Sequence, residues 1–129
     1  MVEALRRMFR HHSPYDAVME EVRGFKALRP GWNSHRAPEI RDSAIKTALE
    51  VLQAAGRLGA PAPSAAPTSL GDVALTWMIG DVEAQLLVGD HTFYYSVARA
   101  TSPKVLDQGS PNGIQELETR FIERHLIGR

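Results

Sequence analysis

Residues 71–99 read GDVALTWMIGDVEAQLLVGDHTFYYSVAR, and two Gly-Asp pairs divide this stretch into three short runs of apolar and β-branched residues. Gly80-Asp81 and Gly89-Asp90 each suit a two-residue hairpin loop. The first central position of a type II′ turn needs a positive φ, which glycine adopts without strain. The stretch therefore predicts a three-stranded antiparallel β-meander.

The two loops also predict the strand register. Trp77 is expected to face Ala84 across the first loop, and Ala84 is expected to face Tyr95 across the second. Because side chains alternate along a strand, one face then collects the apolar residues. The predicted core face comprises Val73, Leu75, Trp77, Ile79, Val82, Ala84, Leu86, Val88, Phe93, Tyr95 and Val97.

Helical patterns lie on both sides of the meander. Ser13-Pro14 is a strong helix start, and the apolar spacing predicts a helix from there to about Ala27. A second helix is expected from Pro38 or Asp42 to Ala55, and the periodicity of residues 2–10 suggests a short helix before both. These elements predict an α+β fold with two to three N-terminal helices.

The segments next to the meander are less regular. Residues 60–69 contain three prolines and are interpreted as an extended surface linker, and a short fourth strand is left open at residues 104–106. The last helix is expected to begin near residues 110–112 and to pack on the sheet. Its inner side is predicted to carry Ile114, Leu117, Phe121 and either Ile122 or His125.

Length and composition limit the class of protein. A chain of 129 residues suits a single α+β domain spanning 1–129, with residues 1–12 expected as a loosely attached N-terminal helix. The absence of cysteine excludes disulfides and thiolate metal sites. Neither a membrane-length apolar run nor a signal-peptide pattern occurs, so no membrane association is predicted and a cytoplasmic location is expected.

No catalytic pattern stands out in the sequence. The five histidines form no His-x-x-x-His or Glu-x-x-His pair, and no Gly-x-Ser-x-Gly elbow or glycine-rich phosphate loop is present. The sequence therefore predicts a protein that is not an enzyme and that uses no metal or cofactor. A hydrolase built on His35 or His91 would require a concave pocket that gathers those histidines with a carboxylate.

Two stretches are candidates for binding. The loop around Trp32, with Asn33, His35 and Arg36, combines an aromatic ring, polar donors and a cation. The alternative for this loop is structural: Trp32 would cap the core where the first two helices meet, and Asn33 would make a local turn.

The second candidate is the sheet face opposite the core. Met78, Leu87 and Tyr94 are predicted to lie there among polar side chains, which is too apolar for a fully solvated surface. Leu87 is expected opposite Thr92, and Tyr94 opposite Gln85. This face predicts a protein–protein contact or a homodimer.

A basic cluster near the N-terminus gives a different hypothesis. Arg6, Arg7 and Arg10 lie close together in a chain whose overall formal charge is zero. Clustered basic side chains are typical of phosphate-backbone binding. The alternative function is therefore that of a nucleic-acid-associated accessory or regulatory protein.

Residues 28–38, LRPGWNSHRAP, and residues 63–77, PSAAPTSLGDVALTW, resemble a family of small bacterial and phage-associated proteins. That family shows a Gly-Trp-Asp-Gly-x-x-Ala-x-Pro motif, then a helix and a Pro-rich stretch leading into a strand that ends in Glu-Trp. Asn33, Ser34 and Thr76 stand at the positions of the motif's Asp, its second Gly and the Glu. The resemblance spans about residues 28–100 and implies a prokaryotic context and a Trp32 loop packed on the meander near Trp77.

Taken together, these patterns predict a non-enzymatic small bacterial protein that acts through protein–protein interaction as a homodimer. Nucleic-acid binding through the basic N-terminal residues is the alternative.

Overall fold

The structure, a computed structural model, describes residues 13–127. The helices are α1 (Pro14–Gly24, followed by a 3₁₀ turn Phe25–Ala27), α2 (Asp42–Arg57) and α3 (Ile114–Leu117), which continues as a π-helix over Glu118–Leu126. The strands are β1 (Ser64–Pro67), β2 (Val73–Ile79), β3 (Val82–Val88), β4 (Phe93–Arg99) and β5 (Val105–Gly109). The α+β class is confirmed, and the helix predicted for residues 2–10 lies outside the described residues.

The sheet has five antiparallel strands in the order β1-β2-β3-β4-β5, so the predicted meander forms its three central strands. The interpretation of residues 60–69 as a linker was wrong, because residues 64–67 of that stretch form β1. Pro67 ends this edge strand, a position where a missing backbone N–H breaks no central ladder. The short strand left open at residues 104–106 is β5, which runs on to Gly109 and is paired with β4 through an irregularity at Val97 and Ala98.

The first Gly-Asp turn is as predicted. Ile79 pairs with Val82 and Trp77 with Ala84, which leaves Gly80 and Asp81 as a two-residue loop. Gly80 has a φ of 63°, the positive value that the first central position of a type II′ turn requires.

The second Gly-Asp turn was predicted wrongly. Val88 pairs with Phe93, so the loop has four residues, Gly89–Thr92, and the positive φ of 59° belongs to His91. The amide of Gly89 donates to the carbonyl of Thr92 (3.0 Å), and a Cβ at Gly89 would lie 2.5 Å from Thr92 Oγ1. The β3–β4 register is therefore shifted by two residues, and because the shift is even every side chain keeps its predicted face.

All of the predicted core face is buried or nearly so, and helices cover it. Ser13 caps α1 by accepting the amide of Asp16 (3.1 Å), and α1 then packs on α2. The largest fully buried side chains include Trp77, Tyr95 and Phe121. Phe121 makes an edge contact with Trp77 (5.6 Å between ring centroids), which fixes the C-terminal helix on the sheet.

The π-helical segment settles the alternative between Ile122 and His125. Hydrogen bonding from residue i to i+5 widens each turn of this segment. Phe121, Ile122 and Leu126 are all buried, and the His125 side chain is only 17% exposed. Ile122 therefore lies in the core, and His125 lies beside it with its ring bonded to Asp107.

Candidate functional site

The sheet face that points away from the helices, here called the outer face, is arranged in three cross-strand rows. The register places its side chains in the rows Ala66–Ala74–Leu87–Tyr94, Ser64–Thr76–Gln85–Ser96–Gln108 and Met78–Glu83–Ala98–Val105. The exposed large hydrophobic side chains on it are Met78 (55%), Val105 (45%), Tyr94 (43%) and Leu87 (37%). The predicted location of Met78, Leu87 and Tyr94 on one face agrees with this register.

The neighbours of these side chains differ from those expected. Leu87 lies directly opposite Tyr94, not Thr92, because the four-residue loop shifts the register. The Tyr94 hydroxyl donates to Gln108 Oε1 (3.0 Å), and this bond holds the hydroxyl end of the Tyr94 side chain over β5. The row of Thr76 and Gln85 separates this pair from Met78, so the outer face carries two apolar regions divided by a polar row.

The Leu87–Tyr94 pair borders a groove between the second turn and residues 110–112. Its volume is about 450 Å³, and its other lining residues are Asp72, Gly89, His91, Thr92, Phe93, Ser110, Pro111 and Asn112. Asp72 is paired with Arg41. An apolar pair next to hydroxyl and amide groups is the composition common at protein-binding surfaces.

The outer face carries little charge. Within the five strands, Glu83 is its one charged side chain, and the cross-strand partner of Glu83 on β4 is Ala98. The ion pair of Arg99 with Asp81 (2.8 Å) lies at the first turn, beyond the pairs of this face. A surface of this kind does not attract a nucleic-acid backbone.

The Trp32 loop is internally hydrogen-bonded. Trp32 is half-buried against the core and its indole N–H donates to the carbonyl of Pro38 (2.9 Å). Asn33 Oδ1 accepts the amides of His35 (2.9 Å) and Ala37 (3.4 Å). These contacts match the structural alternative, in which Trp32 caps the core and Asn33 makes a turn.

The remaining predicted residues of this loop, His35 and Arg36, are exposed. Ser34 has a φ of 66°, a left-handed conformation that favours glycine, and it stands where the motif of the resembled family has its second Gly. Trp77, which the resemblance expected near Trp32, makes its own hydrogen bond, from its indole N–H to the carbonyl of Pro61 (2.8 Å).

The histidines named as hydrolase candidates are not enclosed. His35 lies exposed on the Trp32 loop, and the His91 side chain is 79% exposed. Asp90 is 3.7 Å from His91 but is itself largely exposed. His91 lines the same groove as Asp72 but His35 does not, so the structure does not gather the two histidines that the hydrolase hypothesis requires.

A polar cluster that the sequence analysis missed lies between β4, β5 and the C-terminal helix. The Tyr95 hydroxyl donates to Asp107 Oδ2 (3.2 Å), and His125 Nε2 lies 2.7 Å from the same oxygen. Arg124 NH1 is 3.8 Å from it. An aspartate at an inward position of an edge strand, followed by a histidine on an apolar helix stripe, was the signal that could have indicated this cluster.

The cluster changes the acidity of two of its members. Burial alone would raise the pKa of Asp107, but the hydrogen bonds from His125 and Tyr95 outweigh it and hold that pKa below its ordinary value. Burial, followed by the negative charge of Asp107, raises the pKa of Tyr95, so its phenol remains a donor. Asp107 therefore stays ionised between a phenol and an imidazole.

Among residues 13–127, no three His, Asp or Glu side chains come together in a way that would hold a metal ion. No helix within the same range is long and apolar enough to cross a membrane. Arg6, Arg7 and Arg10, the residues of the nucleic-acid hypothesis, lie outside the described part of the chain.

Comparison of the chain with protein-family models, with curated proteins and with solved structures found no match. The resemblance to the bacterial and phage-associated family stays a prediction.

Proposed function

We propose that this protein is a non-enzymatic bacterial interaction module that works as a homodimer, with the outer face of the sheet as the dimer contact. The observation that carries the proposal is the exposure of Met78, Leu87 and Tyr94 on a sheet face that no described helix covers. Apolar side chains gathered on one face of a sheet favour burial against a partner.

A second copy of the chain suits this face better than a charged partner does. The strands present Glu83 as their one charge there, so two copies can approach without facing rows of like charge. The whole chain has a formal net charge of zero, which removes the long-range repulsion between copies. A two-fold contact would bury the Leu87–Tyr94 pair of each copy together with its polar neighbours.

The predicted interaction residues of the Trp32 loop are not needed for this proposal. Trp32 and Asn33 already have hydrogen-bond partners within the loop. The proposal therefore depends on Met78, Leu87 and Tyr94 alone.

Size-exclusion chromatography with light scattering tests the proposal. The wild-type protein is expected at twice the 14.2 kDa monomer mass at micromolar concentrations. Leu87→Lys is expected to give the monomer, because it places two cations at the contact and removes an apolar side chain. Leu87 is 37% exposed, so the substitution is compatible with the fold.

Leu106→Lys is the matched control, since Leu106 has similar exposure (47%) but lines a groove on the helix side of the sheet. This variant is expected to remain a dimer. A wild-type monomer at high concentration would overturn the homodimer, and a Leu87→Lys dimer would place the contact elsewhere.

A further inference from the structure

The connection between β5 and α3 carries an exposed asparagine whose side chain has no partner. Asn112 lies in the four-residue stretch 110–113, and its side-chain amide makes no hydrogen bond to any residue of the range 13–127. Its backbone is held in place, because the N–H of Asn112 donates to Glu116 Oε2 (3.1 Å). The side-chain amide is therefore unbonded on a backbone that is fixed at the start of the C-terminal helix.

The next residue, Gly113, leaves the space beside this amide open. Its backbone N–H has no acceptor within the described part of the chain, and a Cβ built on it would meet no heavy atom within 4 Å. Glycine has no Cβ that would hinder approach to its own nitrogen. Asn112 thus has an unbonded amide carbon on its side chain and an unbonded backbone nitrogen at the following residue.

These two groups can react with each other in water. The nitrogen of Gly113 gives its proton to hydroxide and attacks Cγ of Asn112, which closes a succinimide ring. The bond from Cγ to Nδ2 breaks, and Nδ2 takes up a proton and leaves as ammonia. Water then adds to one of the two ring carbonyls and opens the ring to aspartate or isoaspartate. The sum consumes one water, releases one ammonia and replaces a neutral amide by a carboxylate.

The other asparagine of the chain provides an internal comparison, since Asn33 and Asn112 are the two that the sequence contains. Asn33 Oδ1 accepts the amides of His35 (2.9 Å) and Ala37 (3.4 Å). The N–H of the following residue, Ser34, donates to the carbonyl of Gly31 (3.0 Å). The side chain and the next backbone nitrogen are both engaged at Asn33, whereas both are unbonded at Asn112.

We propose that Asn112 is a self-modifying site, at which the side-chain amide is lost spontaneously to give aspartate or isoaspartate, while Asn33 keeps its amide. Asn112 lines the groove that the Leu87–Tyr94 pair borders, and Asp72 lines the same groove. The modification therefore adds a negative charge to this groove beside the outer face. Asparagine is among the residues whose chemical lability limits a protein at high temperature.

Incubation of the full chain in warm, mildly alkaline buffer, followed by peptide mass spectrometry, tests the proposal. The peptide that contains Asn112 is expected to gain about 1 Da and to separate into aspartate and isoaspartate forms, and the peptide that contains Asn33 is expected to keep its mass. A synthetic peptide of residues 105–120 is the unfolded reference. Loss of the amide at both asparagines at the same rate, or an unmodified Asn112 after the reference peptide has reacted, would overturn the proposal.

The variant Gly113→Ala tests the attacking nitrogen. The φ of Gly113 is 161°, an extended conformation that alanine also adopts, and the space around its Cβ position is open, so the fold should be kept. The added methyl group should slow the loss of the amide several-fold by hindering attack, and an unchanged rate would overturn the proposal.

The proposal does not rest on the homodimer. Leu87→Lys, the variant expected to be monomeric, should gain the same mass at Asn112 as the wild type. A monomeric wild-type protein would overturn the proposed function and leave this result unchanged, whereas an Asn112 that stays intact in Leu87→Lys would overturn the modification site alone.

Discussion

The two faces of the sheet are built from alternate residues of the same strands, yet their environments are opposite. Trp77 is 1% exposed and contacts Phe121, while its neighbour Met78 is 55% exposed. Tyr95 is fully buried and Tyr94 is 43% exposed. Both faces share the same backbone hydrogen bonds. The side chains of the two faces therefore contribute differently to the stability of the fold only through what covers them.

The adjacent residues Tyr94 and Tyr95 show the difference between the two faces most clearly. Each donates its hydroxyl to β5: Tyr95 to the Asp107 carboxylate and Tyr94 to the Gln108 amide. The first bond lies among buried groups and involves a charge, whereas the second is exposed and neutral. A hydrogen bond to a charged group out of water is worth more than one that water can replace.

The largest difference in the free energy of unfolding is expected between the variants Trp77→Ala and Met78→Ala. Loss of the buried indole should lower the free energy of unfolding by about 3–5 kcal/mol, because it leaves a cavity against Phe121 and an unpartnered Pro61 carbonyl. Met78→Ala should change it by less than about 0.5 kcal/mol. Urea denaturation at one protein concentration measures both, and similar losses would contradict the assignment of the faces.

Asp107→Asn should destabilise the protein next most, by about 1–3 kcal/mol at pH 7, because Tyr95 and His125 lose a charged partner. The folded-state pKa of Asp107 lies below its ordinary value of 3.8, so its ionised form stabilises the fold above that pH. This stabilisation is lost as the pH falls through the folded-state pKa.

The difference between wild type and Asp107→Asn should therefore shrink as the pH falls below about 4. Denaturation midpoints at several pH values measure it. Gln108→Ala, at the next residue on the outer face, is the control and should cost less than about 0.5 kcal/mol at every pH. A difference that keeps growing as the pH falls below about 4 would contradict the role of the Asp107 carboxylate.

The smallest difference in stability is expected between the variants Tyr95→Phe and Tyr94→Phe. Removing the Tyr95 hydroxyl should cost about 1 kcal/mol, since Asp107 loses a donor. Removing the Tyr94 hydroxyl should cost a few tenths of a kcal/mol, because water replaces it at Gln108. Thermal denaturation of the two variants side by side gives the comparison, and an equal cost would mean that burial does not strengthen the Tyr95 bond.

Much of the sheet could be predicted because its signals are local. The alternation in residues 73–97 identified the core face, and Gly80 supplied the positive φ for the first turn. The second Gly-Asp pair carried the same local signal but a different loop formed. There Val88 pairs with Phe93, which the two-residue loop would have placed opposite Leu86 on the same face of the sheet.

The parts that could not be predicted depend on distant residues. β1 is a strand only through its pairing with β2, in which Ala65 lies opposite Leu75 and Pro67 opposite Val73. Nothing within a proline-rich run of small residues indicates that pairing. The Tyr95–Asp107–His125 cluster joins three elements, and each of its members looks ordinary in its own segment. Two alternatives were predicted for the Trp32 loop; its internal hydrogen bonds suit the structural one, and the binding hypothesis stays a prediction.

By itself, the sequence determined which side chains share a sheet face, because alternation and turn chemistry act between near neighbours along the chain. Only the tertiary structure decided the length of the second loop, the pairing of Leu87 with Tyr94 and the placement of His125 beside Asp107. The first two features belong to the pairing of β3 with β4, and the third to the packing of the C-terminal helix on β5. Their free energy depends on the packing of whole elements, which no local pattern contains.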